Sequence, residues 1–281
     1  MNKKDKKTFN WGLIGTGGIA NAFAKDLELL DNHMVTAVLS RTIRNAEIFS
    51  KNLDSCKAYD NIDNFLEDEK IGAVYIATPN NLHCIQTIKS IESKIPVLCE
   101  KPFAMNFEEA NKMIECSKLN STALLDGMWM RYLPHIAKLK DLLSKNTIGK
   151  VECIFACHGQ NLKWSDNPRL WTKELGGGAL LDLGIYVVSF CHMVAGSPNE
   201  ILASSNFNNE GVDSKTSMVF KYDNGVVVNL SCSMYDSQPN RAIISGSDGY
   251  IEIDHTFYAP TTIKLYTVSY THLRAHETRF Y

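Results

Sequence analysis

The chain has 281 residues, with 29 Lys and Arg against 31 Asp and Glu, a net charge of −2 and a pI near 6.4. That is room for two modest domains, and the even spread of both charge signs argues against a nucleic-acid partner or an anionic membrane surface. The eight cysteines (56, 84, 99, 116, 153, 157, 191 and 232) include no CxxC pair, so they read as thiols of a reducing, cytoplasmic compartment, not as a disulfide frame or a zinc site.

Met1 to Lys7 are basic but lead into a strand, Phe9 to Ile14, instead of an apolar signal core, so no export is expected. Gly15-Thr16-Gly17-Gly18-Ile19-Ala20 follows, and then a helix from Asn21 to Leu30. This is GxGxxA between strand and helix, the context that a dinucleotide turn requires. Gly15 suits the tight turn, Gly17 the close approach of a pyrophosphate and Ala20 the packing of helix on strand, with Gly18 and Ile19 in the same phosphate-facing turn. A second strand, Met34 to Leu39, ends in Ser40-Arg41. An Asp or Glu there would accept from a ribose 2′-hydroxyl; Arg41, with Ser40 as a donor, suits a 2′-phosphate, so NADP is expected over NAD.

Helices are expected from Ala46 to Asn52 and from Ile62 to Glu69, and a buried strand from Ala73 to Ala77. Its carboxyl edge carries Thr78, Asn80 and His83, which are candidates for the nicotinamide side of the cofactor, although His83 reads equally well as a first-turn helix residue. After a helix to Ser93, the strand beginning at Ile95 ends in Glu100-Lys101-Pro102. In a doubly wound sheet that edge borders the ligand crevice, so Lys101 points at whatever the sheet binds and Glu100 joins the cofactor candidates. A helix (Phe107 to Leu119) and a strand (Thr122 to Asp126) close a domain over residues 1–126. Alternation of strand and helix throughout predicts a Rossmann-type parallel sheet covered on both faces.

From 127 to 267 the character changes. Trp129, Arg131 and Tyr132 precede a helix to Leu143. Strands then dominate: Val151 to His158, Ile201 to Asn206, Thr216 to Tyr222, Val226 to Met234, Ala242 to Ser245 and Tyr250 to Asp254. Asp223-Asn224-Gly225 and Ser247-Asp248-Gly249 are hairpin signals. The expected second domain is α/β, with a large, mainly antiparallel open sheet. Cys153, Cys157 and His158 fit alternation along a strand better than a metal site, and none is expected. Gly176-Gly177-Gly178 opens an apolar helix, Ala179 to Val188, in which Asp182 and Tyr186 stand four apart on one face. Asp182 also breaks the longest apolar run, so no membrane span is expected. A carboxylate in such a helix is costly unless it meets a partner or substrate; a cap or a buried hydrogen bond is the alternative role.

Gly12 to Ala20, Glu100-Lys101-Pro102, Trp129 to Pro134 and Gly176 to Tyr186 together resemble the Gfo/Idh/MocA oxidoreductase superfamily. Within it, the chain is most similar to the branch of dihydrodiol and NADP-dependent D-xylose dehydrogenases. The resemblance spans Phe9 to about Leu265. It implies a nucleotide-binding domain followed by an open-sheet domain that forms a homodimer through its exposed face. It also implies that Lys101 and Tyr186 are catalytic, with Asp182 assisting. Inositol dehydrogenases carry histidine in place of Tyr186, which argues against an inositol substrate.

The chemistry is consistent with an enzyme acting on a sugar or a cyclic vicinal diol. Oxidising such a hydroxyl needs hydride loss from carbon and proton loss from oxygen to a base. A tyrosine with a pKa of about 10 is only ~0.1% ionised at neutral pH, and lowering it to 7 takes roughly 4 kcal/mol. One ammonium at about 4 Å and an effective dielectric near 20 supplies about that much. Lys101 thus either activates Tyr186 or is itself the base. Trp129 and Arg131 are expected to wall the substrate pocket, and Trp164, Arg169 and Trp171 stand equally as pocket, surface or core residues. Alternatives are a non-catalytic NAD(P)-binding regulator on the same fold, in which the lysine would be lost, and an interaction module using the open sheet. The stretch from Val268 fits neither the preceding strand nor a family ending and resembles a translated sequencing adapter; residues 268–281 are therefore expected to be a non-native tail after a truncated second domain, with His272 and His276 carrying no metal role.

Overall fold

A computed structural model describes residues 8–267; the basic opening and the stretch from Val268, both singled out above, lie outside the described residues. The chain divides into two compact units, the first ending at Gly127 and the second beginning at Met128.

The first unit holds one parallel sheet of β1 (Phe9–Ile14), β2 (His33–Leu39), β3 (Lys57–Tyr59), β4 (Ala73–Ile76), β5 (Val97–Cys99) and β6 (Leu124–Asp126), in the order β3-β2-β1-β4-β5-β6. Helices α1 (Gly18–Leu27), α2 (Ile43–Ser50), α3 (Ile62–Leu66), α4 (His83–Glu92) and α5 (Phe107–Asn120) connect the strands. Every residue of β4 is buried, as a strand covered on both faces requires. On one face Phe65, Ile91 and Met113, from α3, α4 and α5, pack on Ile14, Val74 and Ile76. On the other, Ala20 and Ala24 of α1 and Phe49 of α2 pack on Leu13, Val38 and Tyr75. Side-chain caps set two helix starts: Thr42 accepts from the Asn45 N–H before α2, and Asn106 from the Glu109 N–H before α5. The order reverses between β1 and β4, so the carboxyl ends of these strands border the crevice where such sheets bind ligands.

The second unit contains β7 (Val151–Gly159), β8 (Glu200–Phe207), β9 (Asp213–Lys221), β10 (Val227–Ser233), β11 (Ala242–Gly246), β12 (Gly249–Ile253) and β13 (Ile263–Thr267). Their order is β13-β12-β11-β7-β10-β9-β8. All pairings are antiparallel except β7 with β10. The chain between those two strands passes through a helix, the edge strand β8 and its neighbour β9, and returns in the direction it left. Burial alternates along β9, which marks a sheet with one covered face and one open face. The covered face receives α6 (Pro134–Ser144) and α7 (Ile185–Ala195), with Ile136, Leu139, Val187 and Phe190 packed on Ile154, Val228 and Ile244.

One expectation needs correction here. The apolar segment opening at Ala179 is not uniform α-helix: Leu180–Gly184 form a π-helical turn that leads into α7. Gly184 allows this, because a Cβ there would stand 2.9 Å from the Cys232 sulfur on β10. By length and composition alone, the run Lys173–Ala195, which includes Asp182, reaches the mean hydropathy, 1.6, of a membrane-crossing helix. Half of that window is buried inside the protein, and the apolar residues of α7 in it face the sheet core.

Candidate active site

The first unit carries the nucleotide half of the site. Gly15 follows β1 with φ +111°, and a Cβ on it would stand 2.6 Å from the Ala77 carbonyl, so only glycine can make this turn. Gly17, extended at the N-cap of α1, and Gly18 have nothing within 4 Å of a Cβ position. No side chain caps α1, and its first turn has no acid. The positive end of the helix is thus open to an anion above bare backbone, which fits the pyrophosphate of a dinucleotide. Ile19 lies exposed in the same turn. Ser40, just past β2, sits with its hydroxyl 3.2 Å from that of Thr16, and Arg41 beside it is exposed. Both stand at the strand end where the second ribose of a dinucleotide is read.

The next two strand ends are tied together through main chain. Thr78 donates its hydroxyl to Gln86, 2.6 Å away, and Asn80 is buried in the short 3-10 turn that follows. His83 opens α4, the first-turn helix position that is one of its two expected places. It is 0% exposed, with Nδ1 2.8 Å from the Pro102 carbonyl and Nε2 3.0 Å from that of Thr78, so it braces the two loops and faces inward. Glu100 is also engaged: its Oε1 accepts from the Tyr75 hydroxyl at 2.5 Å and its Oε2 from the Lys101 N–H at 3.0 Å. Lys101 is half-buried just beyond β5, its main chain held by these contacts, and the Lys101–Pro102 peptide is cis.

The second unit carries the other candidates. Tyr186, in the first turn of α7, is 6% exposed; Trp129, in a 3-10 turn before α6, donates its indole N–H to the tyrosine hydroxyl at 3.0 Å. Asp182 lies half-buried in the π turn. Arg131, expected on the pocket wall, directs its Nε to the Ser189 hydroxyl at 3.0 Å, one turn beyond Tyr186. Of the loop residues, Trp164 is exposed, while Trp171 is buried with Leu170, Leu183 and Met234 and packs on Tyr235. Burial pushes the thiols of Cys56, Cys99 and Cys232 up to about 12, so these are inert. Among the described residues no His, Cys, Asp and Glu cluster could hold a metal.

Several neighbours escaped the sequence reading. Asp213, at the start of β9, accepts from the Leu180 N–H at 2.7 Å and anchors the π turn. The His158 ring stands 5.3 Å from that of Tyr186, and Tyr258 4.9 Å from it. Alternation along β7 places His158 on the covered face with Ile154 and Ala156, and that was the available signal; Tyr258, in a loop, had none.

Residues 9–126 match the family model described as an oxidoreductase family with an NAD-binding Rossmann fold, and residues 136–252 match the GFO/IDH/MocA C-terminal domain. The chain belongs to the Gfo/Idh/MocA oxidoreductase family. Among its Gfo/Idh/MocA relatives, trans-1,2-dihydrobenzene-1,2-diol dehydrogenase of Danio rerio is 33% identical over 257 residues, covering 90% of this chain and 76% of the relative. D-xylose 1-dehydrogenase (NADP(+)) of Hypocrea jecorina is 29% identical, covering 92% and 75%. A 3-ketoreductase from Actinomadura kijaniata, solved with NADP and TDP-benzene, shares the fold with a TM-score of 0.85 at 23% identity, over 96% of this chain and 86% of that one.

Burial raises the Glu100 carboxyl above the ordinary value of 4.5, against the opposing pull of the Tyr75 hydroxyl, the Lys101 N–H and the Lys101 charge. A raised carboxyl binds its proton more tightly in the folded state, so its ionisation costs stability as pH rises from 4.5 through the raised value. Glu100→Gln lacks that cost. Urea unfolding at pH 4.5 and at about pH 8 is expected to show the variant gaining on wild type as pH rises; a constant difference would mean that Glu100 titrates alike in both states.

Proposed function

We propose that this oxidoreductase uses NADP to oxidise a hydroxyl-bearing carbon of an aldopyranose or a cyclic vicinal diol, or runs the reverse reduction. The observation that carries this reading is the phenol of Tyr186, buried at the head of α7 and oriented by an N–H donor, in a chain that retains a lysine at the carboxyl end of β5. The names of the diol and D-xylose dehydrogenases support the substrate class, and retention of Lys101, Asp182 and Tyr186 favours an enzyme over a regulator.

The glycine turn would hold the pyrophosphate, with Ser40 and Arg41 on the 2′-phosphate; when bound, the cofactor supplies the hydride acceptor. Thr78, Asn80 and Glu100 shape the strand ends on its nicotinamide side. The hydroxyl proton needs one base, Lys101 or Tyr186, with Asp182 in an assisting role. Trp129 holds the tyrosine oxygen in place and borders the pocket.

The open sheet face suits a second copy of this chain. Phe155 and Val227 project from it, Ile201, Leu202 and Phe207 of β8 are exposed, and a hollow of about 760 Å³ lies over Phe155, Leu202, Val219 and Ile243. Eight unpaired thiols support a cytoplasmic setting.

Three measurements test this reading. NADP reduction rates with D-xylose, D-glucose and a cyclic trans-diol are expected to single out one substrate, and Lys101→Ala to lose about 10²- to 10⁴-fold in kcat. An unchanged rate in the variant would remove Lys101 from the chemistry. Arg41→Ala is expected to raise KM for NADP by about 10- to 100-fold and leave KM for NAD near its starting value; an equal effect on both would refute a 2′-phosphate contact. Light scattering is expected to give twice the chain mass, and a Phe155→Asp variant to give the monomer.

A further inference from the structure

We infer that His158 is a positioning residue that sets the π-helical turn ahead of α7, and through it the placement of Asp182 and Tyr186. The inference rests on the proposal that those two residues serve the reaction. It starts from the turn itself. A π-helical turn replaces the usual i−4 ladder with a wider one and tends to occur where a side chain must be re-aimed. Here it covers Leu180–Gly184 and ends two residues before Tyr186. A turn of this kind needs support from outside the helix, and two groups supply it. Asp213 accepts the Leu180 N–H at its start. At its end, Nδ1 of His158 lies 3.1 Å from the Leu183 carbonyl.

The direction of that second bond follows from the chemistry of the groups. A carbonyl oxygen only accepts, so Nδ1 of His158 carries the hydrogen. In the neutral ring Nε2 is then the acceptor, and the Gln160 amide N–H donates to it at 3.0 Å. The same amide reaches the Tyr258 hydroxyl at 3.3 Å. The tautomer of His158 is thus fixed from both sides, which keeps the Nδ1 hydrogen on Leu183. The ring is 1% exposed and stands on β7, an interior strand of the sheet, so its anchor does not move with the helix.

Ring contacts extend the same control. His158 packs on Tyr258 with centroids 4.0 Å apart and meets Tyr186 edge-on at 5.3 Å. Tyr258 lies 4.9 Å from Tyr186. The phenol therefore has Trp129 at its oxygen and His158 and Tyr258 against its ring. A donor lost at Leu183 leaves the chain folded but lets the turn relax towards a regular helix, which rotates Tyr186 relative to Trp129.

The test separates this from simple packing. His158→Phe keeps a ring for Tyr258 to pack on and removes the donor; His158→Asn loses the ring but can present an amide N–H where Nδ1 stood. The expected result is a fall in kcat of about 10- to 100-fold for the phenylalanine variant, with KM for the sugar or diol within about threefold of wild type. The asparagine variant is expected to recover most of that loss. A readout free of turnover is the indole N–H resonance of Trp129 in a nitrogen–proton correlation spectrum, assigned with Trp129→Phe. It should move in His158→Phe, where the Tyr186 oxygen leaves it, and return in His158→Asn. Gln160→Leu, which frees the tautomer, should shift it in the same direction by less. An unmoved indole resonance in both His158→Phe and Gln160→Leu overturns the inference, as does an asparagine variant as impaired as the phenylalanine one. If wild type turns over no substrate while the indole resonance behaves as expected, the proposed function fails and the role of His158 in the turn stands.

Discussion

The second unit depends on one constraint: a phenol and a carboxylate sit at the head of a helix most of whose other residues belong in an apolar core. Burying a hydroxyl without a hydrogen bond costs about 1–3 kcal/mol by protein mutational measures, so Tyr186 must find its partner inside the fold. It finds the indole N–H of Trp129, 57 residues earlier in the chain. The π turn at Leu180–Gly184, the bare Gly184 against Cys232 and the trans cap by Asp213 all serve the same placement. Polar groups in this helix are held by the elements around it, and the helix is held by its apolar residues on the sheet.

The first unit meets a different constraint. Its sheet is covered on both faces, which leaves the carboxyl ends of the strands as the place for polar side chains. Two of those ends are knitted by main chain and buried polar groups: His83 between the carbonyls of Thr78 and Pro102, and Glu100 between the Tyr75 hydroxyl and the Lys101 N–H. Glu100 is kept there at an electrostatic cost, seen in its raised proton affinity. What that cost secures is a defined backbone around Lys101. The glycine turn works by the opposite means, offering unobstructed N–H groups at the positive end of α1.

The two sheets also differ in what they expose. The parallel sheet reads as continuous apolar runs, and the larger sheet as alternation with one face left open. That open face belongs to the same strands whose covered face supports Tyr186. β7 shows this within one strand, with Phe155 turned outward and His158 turned towards α7.

Local pattern alone determined much of this protein. GxGxxA between β1 and α1, the lysine after β5 and the change from buried runs to alternating strands are contiguous in the chain, and each follows from steric or burial rules acting over a few residues. Asp182 and Tyr186 stood out because polar residues are expensive in an apolar helix. Only the tertiary structure decided their partners. Trp129, His158, Asp213 and Tyr258 come from a turn, two strands and a loop far apart in sequence, and no periodicity links them. The π turn was invisible for the same reason, since it depends on groups brought from other strands, the Asp213 acceptor, the His158 donor and the Cys232 sulfur that only Gly184 can meet. His83 stood between a ligand contact and a first-turn helix residue; the structure places it at the start of α4 with its ring between two main-chain carbonyls, partners that the sequence could not name. Spacing along a chain reports which face a residue takes; what meets it there is settled by the packing of distant segments.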